Sequence, residues 1–259
     1  MILEWLQSVT TPAPRHIRSL GLVHEAIAIE ARYKRCHRAW ASHLLNSRNQ
    51  ILATASELET RGQVIVLGSG GLHDVPLEAL SETFTGVALW DVVHTRRVRS
   101  IAAGFANVTC QTLDVTGLCE AFDGWLKGHH DLPPEPSVPT NLPTGTPDLV
   151  ISLNLLSQLP VQMVARATTK GHGDKLGDFA DNVMRCHVEW LKTLHCRVLL
   201  ITDLERRYTK AGVIEVEDAV PELDCGRPLA DWLWEVAPPG ESTQYDTIHH
   251  KVGAFLLNG

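Results

Sequence analysis

The sequence predicts an α/β protein, a doubly wound sheet preceded by a helical extension. Three observations carry that reading. Short, continuous apolar runs recur between amphipathic segments from residue 63 onward. Fully buried parallel strands read in this way, because helices cover both faces. A glycine cluster, Gly68-Ser69-Gly70-Gly71, follows the first run at once. The first 60 residues hold no such run and follow a helical period instead.

The extension, residues 1–60, reads as a helical cap on a domain spanning residues 61–259. Ile27, Ala31, Cys36, Trp40, Leu44 and Leu45 fall near a 3.6-residue period. Gly21 and the Asn46-Ser47 pair are the expected breaks, with Ser47 capping a second helix built on Ile51, Leu52, Ala55 and Leu58.

Gln63–Leu67 is the first strand. A helix follows, entered through Asp74 and Pro76, with Leu77, Leu80 and Phe84 on one side. Gly86–Trp90 is the second strand, closed by Asp91. An arginine-rich helix is expected over residues 94–104, and a weaker third strand over Asn107–Gln111, leading to Leu113-Asp114-Val115. Leu118, Phe122 and Trp125 mark another helix. Residues 128–147 hold six of the chain's 14 prolines and read as a long loop. Asp148–Leu153 is the fourth strand, Leu176–Leu194 a long helix and Arg197–Thr202 the fifth strand. Trp232–Val236 and Lys251–Leu257 are spaced to form an antiparallel pair at the sheet edge.

Composition narrows the function classes. The chain has 259 residues and a formal charge of −7. Residues 15–48 run the other way, with seven Lys/Arg against two acids. With the rest of the chain acidic, an intramolecular partner is the plainer expectation than nucleic acid. No apolar run reaches the roughly 18 residues of a membrane span, and the first residues do not read as a signal peptide. Six cysteines without a CxxC pair point to a reduced, cytoplasmic protein rather than a zinc ribbon. Thirteen histidines, among them His129-His130 and His249-His250, match no metal-ligand spacing, and no metal is expected.

The order of three elements carries the chemistry. A buried strand runs into a glycine loop, which lets backbone approach a ligand closely. Asp91 ends the next strand, at the spacing where a carboxylate reaches ribose hydroxyls. Asp114 follows the third strand, where an adenine edge would lie. Together they point to an adenosine-containing cofactor. The loop reads GSGGLH, with His73 in place of the final glycine of a dinucleotide fingerprint, and no Walker lysine follows.

The series VIVLGSGG, LWD, LDV and DLVISLNLLSQLP resembles the Rossmann-like, seven-stranded S-adenosylmethionine-dependent methyltransferases, over about residues 60–259. The resemblance implies that Gly68, Ser69 and Gly70 face the methionine part and ribose of the cofactor. It implies that Asp91 holds the ribose hydroxyls beside Val92, and that Asp114 meets the adenine amino group beside Val115. It sets Asn154 at the methyl-transfer end of the fourth strand. The family's acid two residues before the first glycine is Val66 here, which leaves Asp74 as the acid at the helix start to take its place. Leu72 stands for the third glycine, and Gln158 where histidine is common.

Substrate contacts are expected from Asn154, Gln158, His187 and Tyr208, with Asp203 also near the site. No catalytic residue stands out, since methyl transfer needs alignment more than acid–base groups. The leading reading is a methyltransferase acting on a small-molecule acceptor. A cofactor-binding or regulatory protein without turnover is the second. An NAD(P)-dependent oxidoreductase is the third, disfavoured by the missing glycine.

Overall fold

The computed structural model describes residues 10–136 and 146–258. Its elements run α1 (Arg15–Ser19), α2 (Leu22–Ser56), β1 (Gln63–Leu67), α3 (Leu77–Thr83), β2 (Gly86–Asp91), α4 (Arg96–Ala102), β3 (Val108–Thr112), α5 (Cys119–Leu126), β4 (Leu149–Leu153), α6 (Val161–Thr169), α7 (Phe179–Thr193), β5 (Arg197–Lys210), β6 (Val213–Asp218), β7 (Ala230–Ala237) and β8 (Thr247–Asn258). The sheet order is β3-β2-β1-β4-β5-β8-β7, parallel from β3 to β5, with β8 antiparallel to β5 and β7. The parallel strands are the doubly wound sheet read from the sequence. Part of the proline-rich loop, residues 137–145, lies outside the described residues.

Alternation along the strands builds two cores. Val64, Val66, Val87, Leu89 and Ile151 pack beneath α3, α4 and the end of α2. Ile65, Leu67, Ala88, Trp90 and Val150 face α7 through Met184, Val188 and Leu191. Both sets are buried because a strand's side chains alternate between faces and both faces are covered.

Three expectations change. The sheet has eight strands rather than seven, because β5 continues through Lys210 and turns into β6. Ala211 and Gly212 both hold positive φ (49° and 80°), as a two-residue hairpin of primed type requires. The charged run Asp203–Arg207 hid this arm, which is half exposed and therefore not apolar. Asp203 consequently lies inside a strand rather than closing it. Second, α2 does not break at Asn46-Ser47. Its buried stripe of Cys36, Trp40, His43, Leu44, Ser47, Ile51 and Ala55 runs straight through, and packing overrides the capping preference of Ser47. Third, the long helix starts at Phe179, and α6, which the sequence reading did not mark, precedes it.

Helix α2 is fastened to the far edge of the sheet. The Trp40 indole N–H donates to the carbonyl of Val236 at 3.0 Å. Its ring meets Trp234 edge-on at 5.1 Å, and His43 stacks on Trp234 at 4.0 Å. Arg35 forms a fork with Glu241, one intramolecular partner for the basic segment. Trp40→Ala removes a buried ring and its hydrogen bond, with an expected loss of about 3–5 kcal/mol, read from urea denaturation.

Candidate functional site

Strand order reverses between β1 and β4, both of which leave the sheet from the same carboxyl edge. Crevices form at such switch points, since the following connections diverge to opposite faces. A cavity of about 230 Å³ lies there. Gly68, Gly70, Asp91, Val92, Asp114, Val115, Asn154 and Gln158 all line it, and Leu22, Glu25, Ala26, Ile29 and Glu30 of α2 roof it.

Local chemistry shapes the floor. Gly68 has φ 74°, and a Cβ there would sit 2.9 Å from both the Leu153 carbonyl oxygen and Leu155 Cβ. Its amide donates to the Trp90 carbonyl at 2.9 Å, so the loop folds tightly against β2. The Gly70 amide donates to Asp91 Oδ2 at 2.8 Å, and that of Val93 to Asp91 Oδ1 at 3.2 Å. Burial raises the Asp91 carboxyl above its usual range, against the opposing pull of these amides and His94. Asp114 is already engaged. Its Oδ1 accepts from the amide and hydroxyl of Thr116, and its Oδ2 from the amide of Cys119 at the start of α5. The Cys119 thiol hydrogen-bonds the same carboxylate.

Asn154 leaves β4 with φ 48°. Its Nδ2 donates to Asp74 Oδ2 at 2.7 Å and lies 3.3 Å from His43 Nε2, while the Trp232 indole donates to His43 Nδ1. Asn154 Oδ1 is buried and has no partner. Burial raises Asp74 and lowers His43 to about 3, so that ring is neutral. Behind this chain, Ser157 Oγ donates to Asp203 Oδ2, and His250 Nδ1 lies 3.0 Å from the same oxygen. Burial alone raises Asp203, but His250 and Ser157 outweigh it and hold the carboxyl below its usual range.

Four expected site residues are not on the cavity wall. Ser69 is fully buried. Asp74 stands behind Asn154. His187 is buried between α7 and the sheet, 3.1 Å from Ser152 Oγ, because it falls on the apolar face of its helix. Tyr208 lies on the β5–β6 arm against Tyr245, too far along the strand to reach the crevice. The sequence reading named the helical cap but not the residues of its inner face, Glu25 and Glu30, nor Gln162 of α6. Leu22, Glu25, Ala26 and Ile29 share one helical face, the available signal, but nothing in that spacing says what the face covers. Arg97 of the arginine-rich helix donates to the Gly71 carbonyl at 2.8 Å, with its side chain about half exposed.

Among the described residues, no three His, Cys, Asp or Glu side chains are grouped to hold a metal ion, and no helix is long and apolar enough to cross a membrane.

No family model matches the sequence, and no curated protein matches it. Solved structures do match. The DhpI–SAM–HEP complex aligns with TM-score 0.42 and 14% identity, covering 93% of this chain and 99% of that one. The Burkholderia thailandensis 1,6-didemethyltoxoflavin-N1-methyltransferase aligns at 0.41 and 12%, covering 95% and 90%. A Leishmania major SAM-dependent methyltransferase aligns at 0.36 and 11%, covering 96% and 81%. Likeness of this degree leaves the chemistry to be read from the crevice.

Two outcomes follow from this geometry. Gly68→Ala forces a side chain into a left-handed position already filled by β4, so ligand affinity and the thermal midpoint should fall together. The buried neutral histidine His187 has its folded pKa lowered to about 4, below its ordinary 6.5. Its contribution is intact above pH 6.5 and is lost as pH falls, because the unfolded chain takes up the proton first. His187→Gln should therefore flatten the loss of stability between pH 7 and pH 5 by about 2 kcal/mol, measured by urea unfolding at both values.

Proposed function

We propose that this chain is an S-adenosylmethionine-dependent methyltransferase acting on a small-molecule acceptor. The observation that carries the reading is the charge and composition of the crevice. Among the described residues, its wall includes Glu25, Glu30, Asp91 and Asp114, and no lysine or arginine. A ligand with a sulfonium and an ammonium group suits that field. The pyrophosphate of a nicotinamide dinucleotide, doubly negative, does not.

The residues present fit such a cofactor. Asp91 stands at the ribose position, its carboxylate free to exchange the Gly70 amide for hydroxyl donors. Val92, Val115, Leu113 and Leu159 offer apolar flanks for a base. Asn154 presents an unpartnered carbonyl oxygen at the end of β4. When bound, the cofactor supplies an activated methyl group that passes to an acceptor lone pair as the carbon–sulfur bond breaks. The chain's own task is to align the acceptor and keep water out, which the α2 roof serves. Gln158 and Asn154 are the polar groups placed to orient an acceptor.

A second reading, cofactor binding without turnover, is favoured by Val66, which is fully buried in the core where the resembled family carries an acid. Transfer of a labelled methyl group to any acceptor in a substrate screen would eliminate it.

The first test is calorimetry with S-adenosylhomocysteine, with NADH and NADPH as controls. Binding of S-adenosylhomocysteine alone is expected, and binding of NADH alone would return the oxidoreductase reading. Asp91→Ala should lower the affinity at least about a hundredfold, the loss of two charge-assisted hydrogen bonds. Its thermal midpoint should hold, because the carboxylate removed is buried at a cost. Unchanged affinity would show that the ribose site lies elsewhere.

A further inference from the structure

Resting on the reading above, we infer that Glu30, delivered by the N-terminal helix, anchors the cationic amino end of the cofactor in place of an acid on β1. Val66 occupies the β1 position and is buried among Val64, Leu80 and Leu89, with no ionisable atom to offer. Some other carboxylate must meet an ammonium group at the glycine-loop end of the crevice.

The acids of the site can be sorted by position. Asp91 meets the amides of Gly70 and Val93 at the ribose end, where the hydroxyl donors of a ribose would claim it. Asp114 caps α5. Asp74 is off the cavity wall and bound to Asn154. Glu25 accepts from Gln162 at 3.1 Å, more than one helical turn before Glu30, in the region where Leu22 and Leu159 pack beside Met163. Glu30 lies against the loop at Gly71, one residue on from the Asp91 contact at Gly70. Its Oε2 is 3.1 Å from the point where a Gly71 Cβ would stand.

Glu30 is also held there. His73 Nε2 lies 2.8 Å from Glu30 Oε2, and Arg97 Nη1 is 3.7 Å away. His73 stacks on Tyr33 at 3.6 Å, and Arg48 reaches the His73 carbonyl. Burial lowers His73, against the pull of Glu30, so the ring is neutral and donates from Nε2, and the counter-charge on the carboxylate comes from the half-exposed Arg97. Both restraints grip Oε2, which leaves Oε1 for a ligand. A substitution that is conservative in a dinucleotide fingerprint, glycine at position 73, would remove this grip. The histidine in the glycine motif thus has a purpose: it fixes a carboxylate from another part of the chain at the loop.

The test compares S-adenosylhomocysteine with 5′-methylthioadenosine, which keeps the adenosine and thioether but lacks the amino-acid end. In the native protein S-adenosylhomocysteine should bind at least about tenfold tighter, and Glu30→Gln should erase that preference while leaving methylthioadenosine affinity unchanged. Parallel weakening of both ligands would reduce Glu30 to a strut of the roof and overturn the proposal, as would no change in either. A deaminated S-adenosylhomocysteine provides a check that needs no variant. It should bind the native protein about as weakly as methylthioadenosine, and affinity equal to S-adenosylhomocysteine would overturn the assignment. Failure of the native protein to bind any adenosyl ligand would defeat the methyltransferase reading itself, and Glu30's role with it.

Discussion

The docking of helix α2 across the carboxyl edge of the sheet is the constraint on which the rest of this structure depends. A doubly wound sheet leaves an open crevice where its strand order reverses. Here a 35-residue helix closes it. The helix is too polar over its length to hold itself in place by one apolar stripe, so aromatic contacts fasten it to the antiparallel edge, through Trp40 and His43 on Trp234. On either side of these along the helix, Glu30, Tyr33 and Arg48 converge on His73 of the glycine loop. Roof and floor are therefore tied at the loop itself, and the cavity cannot change shape without one of these contacts giving way.

A buried polar chain runs beneath the roof. Asp74, Asn154, His43 and Trp232 link the helix-start acid, the end of β4, the roof and the sheet edge in one series. Buried polar groups of this kind are costly unless partnered, and their mutual satisfaction fixes the rotamer of Asn154. That leaves a single unpartnered oxygen, Asn154 Oδ1, at the end of β4. The left-handed backbone at Asn154 is tolerated because asparagine visits that region more readily than most residues. The Ser157–Asp203–His250 group backs the same corner, so these polar side chains are set by one another rather than by solvent.

Much of the crevice was legible because it depends on short-range order. Apolar runs bounded by glycine and acid mark where parallel strands end, and strand ends are where this architecture binds ligands. Gly68, Asp91, Asp114 and Asn154 sit at such ends and come together as a matter of topology. His187 and Tyr208 misled for two different reasons. Helical periodicity already placed His187 on an apolar face, and the core claimed it. Tyr208 was misjudged because the length of β5 was, and a strand that leaves the core loses the apolar signature by which strands are read. The hairpin with β6 rests on a backbone turn at Ala211-Gly212, whose φ values no apolar pattern encodes.

By itself the sequence determined the doubly wound core, the glycine loop and the acids that face it, because each follows from periodicity and from strand-terminal residues a few positions apart. Only the tertiary structure decided which residues of the helical cap close the crevice. Glu30 and His73 are separated by 43 residues, and His43 and Trp232 by 189. No local pattern records such pairs, since long-range contacts are chosen by the packing of whole elements. The same physics decided that a serine suited to cap a helix lies buried within one, and that a second acid at the glycine loop, beside Asp91, comes from the N-terminal helix.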